Sequence, residues 1–174
     1  TSQSVAVKDG DNWKVFQEGQ GFDKKYFINC MCQGRDGNPW VAHGSGVLQY
    51  AGGAWKDHAK SGLSTARGMA LDRDGNLWVA TNKGLLKYDG QTWTSFDQKG
   101  PLSSDDAKAV AVDEKGRVWA GTTYGLNVLE SGKWKSYYMH NSDLGSNDVS
   151  AIVVVGGGPA LPEPKDKSPG SLSG

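Results

Sequence analysis

Seven tryptophans recur at nearly constant intervals, and this periodicity restricts the fold more than any other feature of the sequence. Trp40, Trp78 and Trp119 are separated by 38 and 41 residues, and each is followed 15 residues later by another tryptophan. Repeats of about 40 residues built from short strands are typical of propeller blades, whereas helical repeats of that length need amphipathic helices. No segment shows a sustained 3.6-residue periodicity. The sequence therefore predicts an all-β fold, a β-propeller of about four blades with four antiparallel strands in each.

The second complete repeat shows how each unit divides into strands. We expect strands over residues 67–72, 76–81, 84–88 and 92–96, with Gly75 and Gly90 in the intervening turns. Glycine suits these turns because it adopts the positive φ that tight hairpins need. The predicted complete units are about 27–65, 66–106 and 107–148.

Both ends of the chain match parts of a further repeat. Residues 4–26 contain the third and fourth strands of a unit, and residues 149–155 resemble a first strand, so the propeller covers 4–155. This split last blade is incomplete, because no tryptophan-bearing second strand follows Val155. Two arrangements stay open, a closed ring with one deficient blade and a piece of a larger propeller. Residues 156–174 are rich in proline, glycine and serine, which predicts a linker or disordered tail.

Composition excludes several classes of function. The 19 basic residues are balanced by 19 acidic ones, so neither nucleic acid nor an anionic membrane surface is a predicted partner. No apolar run approaches the roughly 20 residues that span a bilayer. Cys30 and Cys32 lie two residues apart on a predicted strand, where a disulfide would be strained, and we interpret them as buried thiols.

The repeat resembles that of a known family. Residues 72–96 read Asp-x-x-Gly-Asn-Leu-Trp-Val-Ala-Thr-x-x-Gly-Leu-x-x-Tyr-Asp-Gly-x-x-Trp-x-x-Phe, and the connector 100–105 reads Gly-Pro-Leu-Ser-Ser-Asp. This pattern is similar to the two-component regulator propeller repeat over about residues 4–155. The resemblance implies an extracytoplasmic sensory or binding module, periplasmic or extracellular in a bacterium, often linked to saccharides. It implies no fixed catalytic set.

Candidate binding residues stand where the repeats disagree. In propellers the loops between second and third strands, and between consecutive units, open on one face around the channel mouth. Aromatic, amide and charged side chains there suit a small saccharide or peptide ligand, or a protein partner. Ordinary loop positions are the alternative interpretation. The predicted ligand-binding residues are His43, Ser45, Asn82, Lys83, Thr123, Tyr124, Tyr26 and Arg67.

No catalytic residue, metal site or cofactor is predicted. Asp72, Asp74 and Asn76 have the spacing that opens a calcium loop, but the chain continues into a strand without the closing glutamate. We interpret them as a structural turn. Two alternatives to a binding module remain open: a propeller lyase or hydrolase acting at the channel mouth, and a partial propeller that self-associates through the edge of its incomplete blade.

Overall fold

The computed structural model describes residues 4–9, 11–16, 27–34, 36–43, 46–59, 65–155 and 163–165. These residues form four antiparallel sheets, three of four strands and one of two, which confirms the predicted all-β propeller. Within this part of the chain, no helix has the length and apolar character that a membrane crossing requires.

The strands follow the predicted repeat. The N-terminal hairpin consists of β1 (Val5–Asp9) and β2 (Asn12–Phe16). Blade 1 consists of β3 (Ile28–Gln33), β4 (Pro39–His43), β5 (Gly46–Ala51) and β6 (Ala54–Ala59). Blade 2 consists of β7 (Gly68–Leu71), β8 (Leu77–Thr81), β9 (Gly84–Tyr88) and β10 (Trp93–Phe96). Blade 3 consists of β11 (Ala107–Val112), β12 (Val118–Thr122), β13 (Gly125–Glu130) and β14 (Lys133–Tyr137).

Sheets packed face to face bury the second strand of a blade on both sides. Every residue of β4 and β8 is buried, which explains the apolar residues that precede His43 in β4 and Thr81 in β8. Trp40 packs with Leu77 and Val79 between blades 1 and 2, and Trp78 packs with residues of blade 3. These two tryptophans therefore fill the interfaces between neighbouring blades, and their burial stabilises the array by excluding water from large rings.

The connectors between blades repeat the same contacts. The Gly84 amide donates to the Asp105 carbonyl at 2.5 Å, and one blade later the Gly125 amide donates to the Asn147 carbonyl at 2.6 Å. An ion pair accompanies each of these hydrogen bonds. Arg67 pairs with Asp106 at the first junction, and Lys108 pairs with Asp148 at the second. The repeat in sequence therefore encodes a repeated junction, which holds each blade to the start of the next.

The C-terminal segment departs from the expected strand. The start of the segment is held to blade 3, since the Val149 amide donates to the Thr122 carbonyl at 2.9 Å. Residues 151–155 pair with no sheet of the described residues. The described part of the chain contains no strand after β14 that could pair with them as the second strand of a further blade. Most of the predicted tail lies outside the described residues; Glu163, within it, forms an ion pair with Lys135 of blade 3.

Candidate functional site

The antiparallel order of strands brings two kinds of loop to one face. The second and fourth strands of each blade end on the edge where the first and third begin. The β8–β9 and β12–β13 loops therefore lie on the same face as the connectors before β7, before β11 and after β14. We call this the connector face. The opposite face carries the tight turns within each blade, including that at Asp72.

In blade 2 the predicted residues of the connector face are bound to their neighbours. Asn82 and Lys83 are exposed, and Asn82 Oδ1 accepts a hydrogen bond from the Thr65 hydroxyl at 2.7 Å. Arg67 is engaged by Asp106 in the ion pair between blades 2 and 3. Two of these side chains thus hold the face together, while Lys83 extends into solvent.

In blade 3 the predicted residues lie on the β12–β13 loop. The Thr123 hydroxyl is 2.8 Å from that of Ser104, which ties this loop to the connector before β11. Tyr124 is 56% exposed, although its amide is held by the Thr122 hydroxyl at 3.1 Å. A large exposed ring therefore stands on an anchored backbone.

Tyr124 belongs to a cluster of aromatic rings on this face. Its ring centroid lies 5.7 Å from that of Tyr138, and Tyr138 stacks on His140 with centroids 5.1 Å apart and planes inclined by 7°. His140 is exposed, and Met139 beside it is 52% exposed. We call Tyr124, Tyr138 and His140 the aromatic platform.

The backbone beneath the platform is held in place by side chains. Asn141 Oδ1 accepts from the Tyr138 amide at 2.6 Å, and Asn147 Oδ1 accepts from the Met139 amide at 2.8 Å. Gly125 has a φ of +123°, and a Cβ there would lie 2.9 Å from the Tyr138 ring. A larger residue would therefore push the ring away, so glycine is needed where the ring meets the loop.

The platform occurs in blade 3 and has no equivalent in blade 2. Lys83 and Asp97 of blade 2 occupy the positions of Tyr124 and Tyr138. Sequence reasoning selected Tyr124 for this difference but missed Tyr138 and His140, which lie in the connector after β14. The available signal was an aromatic residue where the preceding repeat has aspartate.

The remaining predicted residues have other surroundings. His43 is fully buried, and its Nε2 lies 3.7 Å from Asp57 Oδ1. Its ring therefore has no surface open to a ligand in this conformation. Tyr26 and Ser45 lie outside the described residues.

The calcium-like spacing at the start of blade 2 forms a hydrogen-bonded turn. The Asp72 carboxylate accepts bonds from the Asp74 amide, the Asn76 amide and side chain, and Trp78 Nε1 at 3.0 Å. Burial by itself raises the pKa of Asp72, but bonds from Trp78 and Asn76 outweigh it, so the pKa is lowered. Asp113 forms the same contacts with the Arg117 amide and Trp119 Nε1 in blade 3. Both carboxylates therefore serve as acceptors that close a turn.

No group of three metal-binding side chains occurs in the ranges that the structure covers. Cys30 and Cys32 are unbridged and half-buried, and burial raises the pKa of each thiol to about 12. Thiols of that kind are protonated and unreactive at neutral pH, in keeping with the interpretation as packing residues.

Comparison with solved structures shows the fold again. The chain aligns with a protein described as the extracellular domain of a hybrid two component system, BT3049 of B. thetaiotaomicron, at 18% identity and a TM-score of 0.63, covering 88% of this chain and 25% of the other. Virginiamycin B lyase of Staphylococcus aureus aligns at 12% identity and a TM-score of 0.59, covering 78% of this chain and 48% of the lyase. PorZ, a surface component of the type-IX secretion system of Porphyromonas gingivalis, aligns at 18% identity and a TM-score of 0.54, covering 83% and 25%.

The chain thus spans between a quarter and about half of these structures. No curated protein sequence matches it. A family model described as "Two component regulator propeller" matches residues 62–83, which run from the connector before β7 to the β8–β9 loop. The match covers part of one repeat, and it agrees with the resemblance of that repeat to the two component regulator propeller repeat; the structural neighbours show the β-propeller fold.

Proposed function

We propose that this chain is a non-enzymatic binding or sensory module that holds a small saccharide or peptide on its connector face. The aromatic platform is the observation that carries the proposal. It places exposed rings on an anchored backbone, at positions where the repeats differ. Structural residues of a repeat protein recur from unit to unit, whereas a group found in one blade needs another explanation.

The chemistry of the platform suits ligands with one flat apolar face. Tyr138 and His140 present nearly parallel rings, and Tyr124 is inclined by 54° to Tyr138, so the three form a shallow angle. Aromatic rings stack on the apolar face of a pyranose or of a planar side chain, while the phenol and imidazole groups bond to hydroxyls or amides. The ordered backbone reduces the entropy lost on binding.

A location outside the cytoplasm is part of the proposal. The structurally similar BT3049 domain is described as extracellular, and PorZ is described as a bacterial surface component. These descriptions belong to proteins of low identity, and they support the location of this chain by analogy of fold and repeat type.

A lyase or hydrolase has less support. Such an enzyme needs acid and base groups within reach of a bound substrate. His43 and Asp57 are close enough to interact, but the histidine ring is fully buried. An enzyme would be favoured by two exposed side chains of different charge that face the same cavity, one to act as the acid and the other as the base.

Isothermal titration calorimetry of the 174-residue chain against panels of oligosaccharides and short peptides tests the proposal. We expect a ligand whose affinity falls at least about tenfold in both Tyr124→Ala and Tyr138→Ala, which corresponds to about 1.4 kcal/mol per truncated ring. Gln91→Ala is the control, because Gln91 is exposed in the tight turn between β9 and β10 on the opposite face and its truncation should leave affinity within about twofold.

Two results would contradict the proposal. One is the absence of any binder in both panels. The other is a binder whose affinity survives both tyrosine truncations, which would move the site away from the platform. Thermal unfolding of each variant separates loss of the site from loss of the fold, since exposed rings contribute little to stability.

A further inference from the structure

Residues 163–165, Glu-Pro-Lys, contact blade 3 through the two charged side chains at their ends. Lys135 Nζ, on β14, donates to Glu163 Oε1 at 2.6 Å. Lys165 Nζ donates to Asp143 Oδ1, in the connector after β14, at 3.1 Å. The two ion pairs have opposite directions, because blade 3 supplies the cation in one and the anion in the other. The order of charges along the segment is therefore matched by the order of charges along blade 3.

A backbone hydrogen bond lies between the two ion pairs. The Lys165 amide donates to the Asn141 carbonyl at 2.7 Å. Pro164 is half-buried, whereas the residues on either side of it are exposed. Proline has a restricted φ, so less conformational entropy is lost when such a segment is held in place. The segment is thus held by three polar contacts, and its two ion pairs lie at the surface, where salt screens them.

Blade 3 carries charges for these contacts that blade 2 lacks. The ammonium group of Lys135 also lies 3.7 Å from Glu130 Oε2, which helps to orient it. Blade 2 has Thr94 at the position of Lys135, and Pro101 at that of Asp143, since each precedes the leucine that the two connectors share. The surface that receives the segment is therefore a feature of blade 3 and is not part of the general repeat.

The central contact joins the segment to the residue that supports the aromatic platform. Asn141 accepts from the Lys165 amide through its carbonyl, while its side chain accepts from the Tyr138 amide at 2.6 Å and donates to the Ser136 carbonyl at 3.2 Å. Asn141 is thus shared between the segment and the backbone that carries the Tyr138 ring. A contact that restrains Asn141 restrains this backbone as well.

We propose that residues 163–165 are a charge-dependent latch, which docks on blade 3 of the same chain and orders the connector that carries the aromatic platform. Their carboxylate, amide N–H and ammonium groups match the ammonium of Lys135, the carbonyl of Asn141 and the carboxylate of Asp143. A docked latch lowers the conformational entropy that a ligand would otherwise remove from the connector, so it favours binding. This effect on affinity rests on the proposed function, whereas the latch itself is measured without a ligand.

Amide hydrogen exchange of the 174-residue chain, followed residue by residue by NMR, tests the latch. Glu163→Lys replaces attraction to Lys135 by repulsion. We expect the Lys165 amide to exchange at least about threefold faster in this variant, and the Tyr138 amide at least about twofold faster. Glu114→Lys is the matched control, because Glu114 is an exposed carboxylate in the turn between β11 and β12 and its replacement changes the net charge equally. Both exchange rates should stay within about 1.5-fold of wild type in the control.

Salt provides a second test of the charge dependence. Sodium chloride at about 0.5 M should accelerate exchange of the Lys165 amide in the wild type, because it screens exposed ion pairs. The same salt should have little effect on this amide in Glu163→Lys, where the attraction is already absent.

Carbodiimide coupling tests the register of the contact, because it joins a lysine directly to a carboxylate that touches it. Peptide mass mapping should find a Lys135–Glu163 link in the wild type. The Lys108–Asp148 pair, with Nζ and Oδ1 2.7 Å apart, is the positive control. Lys133 is the negative control, because it is exposed on the same strand and should not link to Glu163.

Several results would overturn the latch. One is a chain that forms the positive-control link but no Lys135–Glu163 link, and another is equal linking of Glu163 to both lysines of β14. A Lys165 amide whose exchange is unchanged in Glu163→Lys would overturn it as well. Faster exchange at Lys165 with no change at Tyr138 would refute the coupling to the platform. Failure to find any ligand would contradict the proposed function and leave the exchange and coupling results intact.

Discussion

Replacing Asp72 by alanine should destabilise the propeller through the turn between β7 and β8. The carboxylate accepts bonds from the Asp74 amide at 3.0 Å, the Asn76 amide at 2.9 Å, the Asn76 side chain, and Trp78 Nε1 at 3.0 Å. Trp78 is 2% exposed, so its indole N–H has little access to water once the carboxylate is gone. The main cost of the substitution is therefore an unsatisfied buried donor.

The magnitude follows from how buried each donor is. A buried donor left without a partner costs about 1–3 kcal/mol, and a hydrogen bond to a charged group has a net contribution of about 1.5–3 kcal/mol. The Asp74 amide lies at an exposed turn, where water compensates most of its loss. We therefore expect a total loss of about 2–4 kcal/mol, which lowers the melting temperature by roughly 5–15 °C for a domain of this size.

Urea unfolding followed by tryptophan fluorescence measures this loss, with Asp74→Ala as the matched control. Asp74 is exposed and shares the calcium-like spacing, but we expect its truncation to change stability by less than about 0.5 kcal/mol. Comparable losses in the two variants, or a loss that depends on added calcium, would refute the hydrogen-bonding explanation.

The pH dependence of the Asp72 effect has a defined sign. Its pKa is lowered in the folded state, so the unfolded chain takes up the proton first as pH falls. The stabilisation is present above the unfolded pKa of about 3.9 and is lost as pH falls through the folded pKa. The difference in stability between wild type and Asp72→Ala should therefore shrink in acid.

Two further predictions concern single positions in other contacts. Gly84→Ala should cost at least about 2 kcal/mol more than Gly90→Ala, because both glycines have positive φ but only at Gly84 would a Cβ meet a backbone oxygen, that of Phe96; equal urea midpoints would contradict this. His58 is buried between Trp40 and Tyr88, and burial, then repulsion by Lys56, lower its pKa although Asp57 opposes them. Stability should fall as pH drops below about 6.5, where the unfolded chain takes up the proton first, and His58→Phe should flatten this slope; parallel profiles would show that His58 is not responsible.

The architecture could be predicted because its signals are local and repeated. Tryptophan spacing, glycine in each turn and apolar second strands gave strand bounds in blade 2 that differ from the structure by at most one residue at either end, and β9 was predicted at its observed bounds.

The candidate site could be predicted only in part. Tyr124 was recognisable because it interrupts the repeat. The platform as a whole depends on the connector after β14, which brings Tyr138 to Tyr124, 14 positions earlier, and stacks His140 on Tyr138. His43 was expected at the same face, but packing between sheets buries its ring completely. Neither the aromatic platform nor the burial of His43 can be predicted from the spacing of residues in the sequence.

The propeller, the blade register and the positions where the repeats differ can all be inferred from the amino-acid sequence, because each of these depends on short-range periodicity. Tertiary structure alone decided which of those positions face solvent, since burial depends on how neighbouring sheets and connectors pack. Tertiary structure also determines whether 149–155 forms a strand. The segment has a strand-like sequence and is anchored at its start, but the described residues offer no second strand with which it could pair. A strand needs a hydrogen-bonded partner strand, so the residues of 149–155 by themselves do not determine whether the segment joins a sheet.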